Sequence, residues 1–221
     1  MLEVTDAIKN RRTVRRFSDE PISEEVLHQL IEVAIHAPSA CDIQGWKFII
    51  LDDDELLQKI IQKDAAVFIK RAPLRILVLY DNLTDNIEYQ DHIQSAAAAI
   101  QNMLLQATAL GLGSCWVCHL PRKKEIRKIL HIPGYFDPIA IVLFGYPKKD
   151  PKPRPRKGGI DDFLTYNTFD FEMKTRKERA RKRWKRFLRK VYYRLPFRNL
   201  FRKKVNKRFE KRFEPDEVYE E

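Results

Sequence analysis

Two short cationic segments carry the residue types best suited to chemistry in this chain. One is Arg11-Arg12-Thr13-Val14-Arg15-Arg16, near the start; the other is Pro153-Arg154-Pro155-Arg156-Lys157, far downstream. Guanidinium groups grip a phosphate through paired, charge-assisted hydrogen bonds, and a threonine hydroxyl adds a donor. Two such turns at opposite ends of a globular core suit one compact dianion; the plainer alternative is a solvated basic surface. Other chemistries find less support. Cys115-Trp116-Val117-Cys118 has a CxxC spacing, but no second pair accompanies it and its neighbours are apolar, so both thiols are expected to be buried. His28, His36 and His92 fall in helical patterns with no mutual metal spacing, and His119 and His131 stand apart from them. There is no Ser/His/Asp set and no paired carboxylate. Gly111-Leu112-Gly113 follows a helical rather than a strand pattern, so it is not a dinucleotide-binding turn.

The elements that must position these residues are legible from periodicity. Residues 4–10 read as a short helix leading into the first arginine turn. A second helix opens at Ser23, an N-cap followed by Glu24 and Glu25, with Val26, Leu27, Leu30, Ile31, Ala34 and Ile35 at helical spacing and Pro38 as its stop. The loop through Ser39, Ala40, Asp42, Gln44 and Gly45 delivers the chain to a strand at 46–51. A helix at 53–63 and a continuous apolar strand at 75–80 follow. Residues 91–110, with Ser95-Ala96-Ala97-Ala98-Ala99, form the strongest helical signal. A brief helix at 123–130 and a buried strand at 139–145 complete a layered α+β or α/β pattern. Trp46 and Trp116 are read as core residues, and Gln44 as bonded to backbone.

The 221 residues carry 42 basic and 31 acidic side chains, a net of +11. Residues 172–221 hold 20 basic and 8 acidic, a net of +12, so everything before them nets −1. Charge alone therefore predicts a boundary near residue 171. Three cysteines argue against a disulfide scaffold and for a reducing compartment. The start of the chain lacks a signal-peptide pattern, and no apolar run is long enough to cross a bilayer. The expected location is cytoplasmic, with membrane-peripheral as its variant.

Taken in order, Arg-x-Thr-x-Arg, then Ala37-Pro38-Ser39-Ala40 with Gln44 and Trp46, then the alanine-rich helix into Gly111-Leu112-Gly113-Ser114-Cys115-Trp116, then Pro153-Arg154-Pro155-Arg156-Lys157, the chain resembles the FMN-dependent nitroreductase family over roughly residues 5 to 165. The resemblance implies an α+β three-layer fold with a central, mainly antiparallel sheet flanked by helices, in a domain-swapped homodimer whose sites draw on both subunits. It implies an FMN-binding domain at 1–170 and an appended extension at 171–221. It assigns Arg11, Thr13 and Arg15 to the FMN phosphate and ribityl chain, Arg12 to backbone or flavin-edge contact, and Arg156 with Arg154 to the same phosphate. Pro38, Ser39 and Ala40 would approach the flavin from the partner subunit, with Asp42 beside them, and Gly113 and Ser114 would face the ring. The implied reaction passes reducing equivalents from NAD(P)H through the flavin to a small organic acceptor. Reductive dehalogenation and flavin fragmentation stay open within the family. Two departures stand out: many relatives have Asn at the position of Asp42 and Pro at that of Gly45, where glycine is expected to loosen the approach to Trp46. Residues 59–72 give no match to the family's lid.

The extension is outside the resemblance. Trp184, Phe187, Leu188, Val191, Tyr192 and Leu195 form one apolar face among arginines and lysines; Phe197, Phe201, Val205, Phe209 and Phe213, with Leu200, repeat the pattern after Pro196. Two basic amphipathic helices are predicted. Three partners suit them: the chain's own dimer, an anionic membrane surface met through residues 174–213, or a nucleic acid or acidic protein. Nucleic acid is disfavoured, because regularly spaced aromatics need something apolar to cover. The alternative to an enzyme is a peripheral membrane or partner-binding protein on a degenerate nitroreductase fold, with the tail as its functional element.

Overall fold

The computed structural model describes residues 2–83, 86–152 and 155–194. It divides into two compact units, Met1–Pro153 and Arg154–Glu221. The first unit runs α1 (Val4–Asn10), α2 (Glu24–Ile35), β1 (Trp46–Ile50), α3 (Asp54–Gln62), β2 (Leu74–Asp81), α4 (Asp91–Ala109), β3 (Gly113–Val117), α5 (Lys123–Leu130) and β4 (Phe136–Gly145). In the second unit a short 3₁₀ turn at Ile160–Asp162 precedes α6 (Arg176–Arg194). The second of the two amphipathic helices expected in the extension lies outside the described residues.

The sheet has the order β1-β2-β4-β3, and every pairing within it is antiparallel. Strand periodicity divides its side chains between two cores. Ile76, Val78 and Tyr80 of β2, with Val142 and Phe144 of β4, pack on Leu30 and Ala34 of α2 and on Ala96, Ala99, Ile100 and Met103 of α4. Leu77 and Leu79, with Ile141 and Leu143, face the other way onto Leu57, Ile60 and Ile61 of α3 and Ile126 of α5. Helices, sheet and helices thus make three layers in an α+β arrangement, as the family resemblance implies. The small residues of α4 let it lie against the sheet while Asn102 donates to the carbonyl of Val33 at 3.0 Å, tying α4 to α2.

The cap read at Ser23 forms, and Asp53 supplies a second that was not singled out. Ser23 Oγ accepts the N–H of Val26, and Asp53 Oδ1 accepts those of Glu55 and Leu56, each such cap contributing about 1 kcal/mol. Two expectations need correction. The last strand begins at Phe136, not Ile139: the register slips at a bulge as Val78 pairs Ala140 and Leu79 pairs Pro138, and the pairing with β3 ends at Ile141, before Pro138 is reached. Of the CxxC pair, Cys115 is buried inside β3 but Cys118 is exposed, because β3 stops at Val117 and the chain leaves the sheet.

Candidate functional site

The arginine turn is fixed by backbone contacts. The Arg12 guanidinium folds back onto the carbonyls of Lys9 and Arg11, closing the end of α1. Thr13 then forms a parallel bridge with Ser114 at the start of β3, and the Val14 N–H donates to the Ser114 carbonyl at 2.9 Å. Val14 is buried in the core beside Gly113, where a Cβ would come within 2.8 Å of the valine side chain. Glycine at 113 is therefore a condition of the turn's close approach. With Val14 anchored inside, Thr13 is exposed and Arg11, Arg12, Arg15 and Arg16 are half-buried. The Arg15 guanidinium sits 5.5 Å from the centroid of the Phe68 ring, a cation–π contact that limits its wandering.

The chain returns to this turn after β4. Phe17 bridges Pro147, the Ser18 N–H donates to the Tyr146 carbonyl at 2.8 Å, and the Lys148 N–H donates to the Arg16 carbonyl at 3.2 Å. Arg16, Phe17, Asp19, Arg71 and Lys148 line a cavity of about 260 Å³ there. Phe68, Arg71 and Lys148 were not singled out by sequence reasoning. The first two lie in a stretch without helical or strand periodicity, and only the adjacency of Phe68 to Lys70-Arg71 hinted at them.

The second part of the site is the loop after α2. Pro38 and Asp42 are exposed, and Ser39 and Ala40 are half-buried. Cys41, Asp42 and Gln44 have φ of 50°, 55° and 50°, three left-handed residues within four positions. Such backbone costs of order 1 kcal/mol each, less for Asp, and persists where surroundings enforce it. Here Ser95 Oγ of α4 accepts the Ala40 N–H at 3.1 Å, and Ser39 Oγ accepts the Gln44 N–H at 3.1 Å. The Gln44 amide donates to Asp42 Oδ1 at 2.7 Å, so it serves a side chain rather than backbone, correcting the expectation; the left-handed pair brings the two together. Gly45 is likewise a tight position, not a loose one: a Cβ there would stand 3.0 Å from Asp81 Cβ and from the Tyr80 ring.

The structure brings Arg11, Arg12, Thr13 and Arg15 together with Gly113 and Ser114. It holds Pro38, Ser39, Ala40 and Asp42 elsewhere, by Ser95 near the start of α4. The arginine turn meets β3 just beyond the end of that helix, where the Leu112 N–H donates to the Ala107 carbonyl. From Ser95 to Ala107 the helix rises about 18 Å. Ser114 itself is 1% exposed, with its backbone paired to Phe144 on one side and the arginine turn on the other, and its Oγ has no hydrogen-bond partner among the described residues. Arg156 is exposed in the second unit, and Arg154 lies outside the described residues.

A separate charged cluster is structural. The Asp137 carboxylate accepts from Lys123, Arg127 and, at 2.9 Å, Asn82, and His92 Nε2 lies 3.6 Å away. Burial works to raise its pKa, but the hydrogen bonds from Lys123 and Asn82 and the charges of Lys123 and Arg127 outweigh it and hold the carboxyl below its ordinary value. The cluster stitches α4 and α5 to β4. No group of histidine, cysteine or carboxylate side chains suited to a metal occurs among the described residues.

A model of the nitroreductase family matches residues 8–71 and 61–146. The chain belongs to the nitroreductase family. Among its relatives in that family, a protein of Methanothermobacter thermautotrophicus with the provisional name NADH dehydrogenase/NAD(P)H nitroreductase is 34% identical over 69% of this chain and 82% of its own length. An iodotyrosine deiodinase of Thermotoga neapolitana is 30% identical, covering 74% of this chain and 97% of that protein. Among solved structures, an FMN-dependent nitroreductase from Clostridium difficile superposes with a TM-score of 0.65 at 29% identity, over 75% of this chain and 99% of that one. The nitroreductase match ends before the basic extension begins.

Proposed function

We propose that this oxidoreductase, with FMN as its cofactor, takes reducing equivalents from NAD(P)H and delivers them to a small organic acceptor. The observation that carries the reading is the bridge between Thr13 and Ser114, which fixes a turn of guanidiniums and one hydroxyl, without a carboxylate, against the end of the sheet. That donor set matches a dianionic phosphate. In this reading Arg11, Thr13 and Arg15 hold the phosphate end, and Arg12 keeps the turn in shape through its own backbone bonds. Gly113 and Ser114 set the turn against β3. In the same reading Arg156, with Arg154, is assigned to that phosphate. Bound FMN supplies the hydride and electron chemistry. The protein binds, orients and shields, which accounts for a site without an acid–base pair.

We further propose a homodimer. Pro38, Ser39, Ala40 and Asp42 are held near one end of α4 and the arginine turn beyond the other, so a second copy can bring its loop to a flavin gripped by the first. The strand β1 is an open sheet edge, and beside it Leu27, Ile31, Trp46 and Phe48 line an apolar groove of about 650 Å³.

The test is the absorption spectrum of the purified protein under argon. Flavin bands that bleach with NADH or NADPH and return when a nitro- or iodo-aromatic acceptor is added support the reading. A colourless protein that takes up no FMN contradicts it. Light scattering at the mass of two chains supports the dimer, and a single-chain mass contradicts it.

A further inference from the structure

The flavin chemistry leaves one surface unused. Along α6, Trp184, Phe187, Leu188 and Val191 recur at helical spacing on one side, and all are exposed, Trp184 at 60% and Phe187 at 54%. The Trp184 and Phe187 rings stack with centroids 5.6 Å apart and planes 26° from parallel, so the apolar stripe is continuous. At 100° per residue, Arg181 and Arg183 flank the stripe on its two sides, and Lys182, Lys185 and Arg186 occupy the remainder. The helix holds 11 basic residues and one acidic residue. That acid, Glu178, is committed to the helix start: its carboxylate accepts the N–H and Oγ–H of Thr175 at 3.0 Å each, while the Thr175 hydroxyl accepts the Glu178 N–H.

An apolar stripe bordered by arginines needs an occupant that is apolar within and anionic at its rim. We propose that α6 lies flat on an anionic lipid surface, with Trp184, Phe187, Leu188 and Val191 among the acyl chains and Arg181 and Arg183 at the headgroups. Charge separates this surface from the segment that precedes it. Segment 160–173 is equally rich in exposed aromatics, but it has four acidic residues and no basic one, so an anionic bilayer repels it and accepts α6. The helix does not cross the membrane: among the described residues no helix is long and apolar enough. A nucleic acid would answer the arginines and leave the stripe in water. This inference goes beyond the flavin reading and does not depend on it.

Co-sedimentation of the full-length protein with vesicles of phosphatidylcholine, alone or mixed with phosphatidylglycerol, tests it. The expected result is partitioning into the mixed vesicles that weakens as salt rises, with a blue shift of tryptophan emission lost in Trp184→Phe. Trp184→Glu combined with Leu188→Glu is expected to lower partitioning about tenfold or more by removing the inserted surface. Arg181→Gln with Arg183→Gln, which keeps the stripe and suits a helix, is expected to lower it by about tenfold or more through charge. Equal partitioning into both vesicle types, none into either, or none of these losses overturns the proposal. So does RNA binding, or a change in oligomeric state, that responds to the same variants while vesicles are not bound.

Discussion

Cations serve opposite purposes in the two units. Within Met1–Pro153 they are answered by fixed groups: Lys123 and Arg127 by Asp137, the Arg12 guanidinium by two carbonyls, Arg15 by the face of Phe68. On α6 the cations whose side chains are described project into solvent, and the helix's own acid, Glu178, is bound to its cap. The same residue type therefore gives a precise anion grip where the backbone beneath it is bridged into a sheet, and a diffuse field where it projects from a solvated helix. Precision costs stability when it is disturbed; a diffuse field tolerates change.

That contrast orders the expected effects. Asp137→Ala should be the most damaging substitution, costing about 3 kcal/mol at neutral pH, because it leaves Lys123 and Arg127 without their counter-charge. Urea unfolding reads this directly. The same carboxyl fixes a pH dependence: its folded pKa lies below the unfolded value of about 3.9, so its contribution is complete above that value and is lost as pH falls through the folded pKa. The gap between the parent and Asp137→Asn should narrow as pH drops below about 4; a gap that widens there would reverse the assignment.

Gly113→Val comes next. Its side chain would collide with Val14, costing about 2 kcal/mol and displacing the arginine turn, so flavin retention should fall with the melting temperature. Retention unchanged beside a lowered melting temperature would separate the turn from the cofactor. Thr13→Ala should weaken FMN binding about tenfold by removing one hydroxyl donor to a charged group, with stability unaltered and Thr13→Ser restoring most of the loss. The smallest effect belongs to α6: Arg181→Gln with Arg183→Gln should change the unfolding free energy by less than about 0.5 kcal/mol. A larger loss would mean that those guanidiniums are built into the fold after all.

What the sequence disclosed follows the same division. Elements specified by side-chain periodicity or by caps were readable: Ser23 before α2, the helical spacing of α3, the alanine run of α4, the continuous apolar β2. Features made by backbone alone were not. The bridge from Thr13 to Ser114 has no side-chain signature, so the arginines could be picked out by type while the surface they dock on was known only through family resemblance. β3 opens on glycine and serine and carries the first cysteine of a CxxC spacing, which drew attention to thiols rather than to a strand. The bulge at Pro138 hid the first residues of β4, since proline reads as a break unless its neighbouring strand is known to have ended. The left-handed run at Cys41, Asp42 and Gln44 involves residues that give little warning of it, and Gly45 reads as freedom until Tyr80 and Asp81 are seen against it.

The arginine turn is the centre of the account, and comparing FMN with riboflavin tests it most directly, because the two differ by the phosphate alone. Titration of the flavin-free protein should show FMN binding at least about a hundredfold more tightly than riboflavin, with Arg15→Ala cutting that preference about tenfold or more while riboflavin affinity and folding stay as they were. Equal affinity for the two flavins, or a preference untouched by Arg15→Ala, would contradict it.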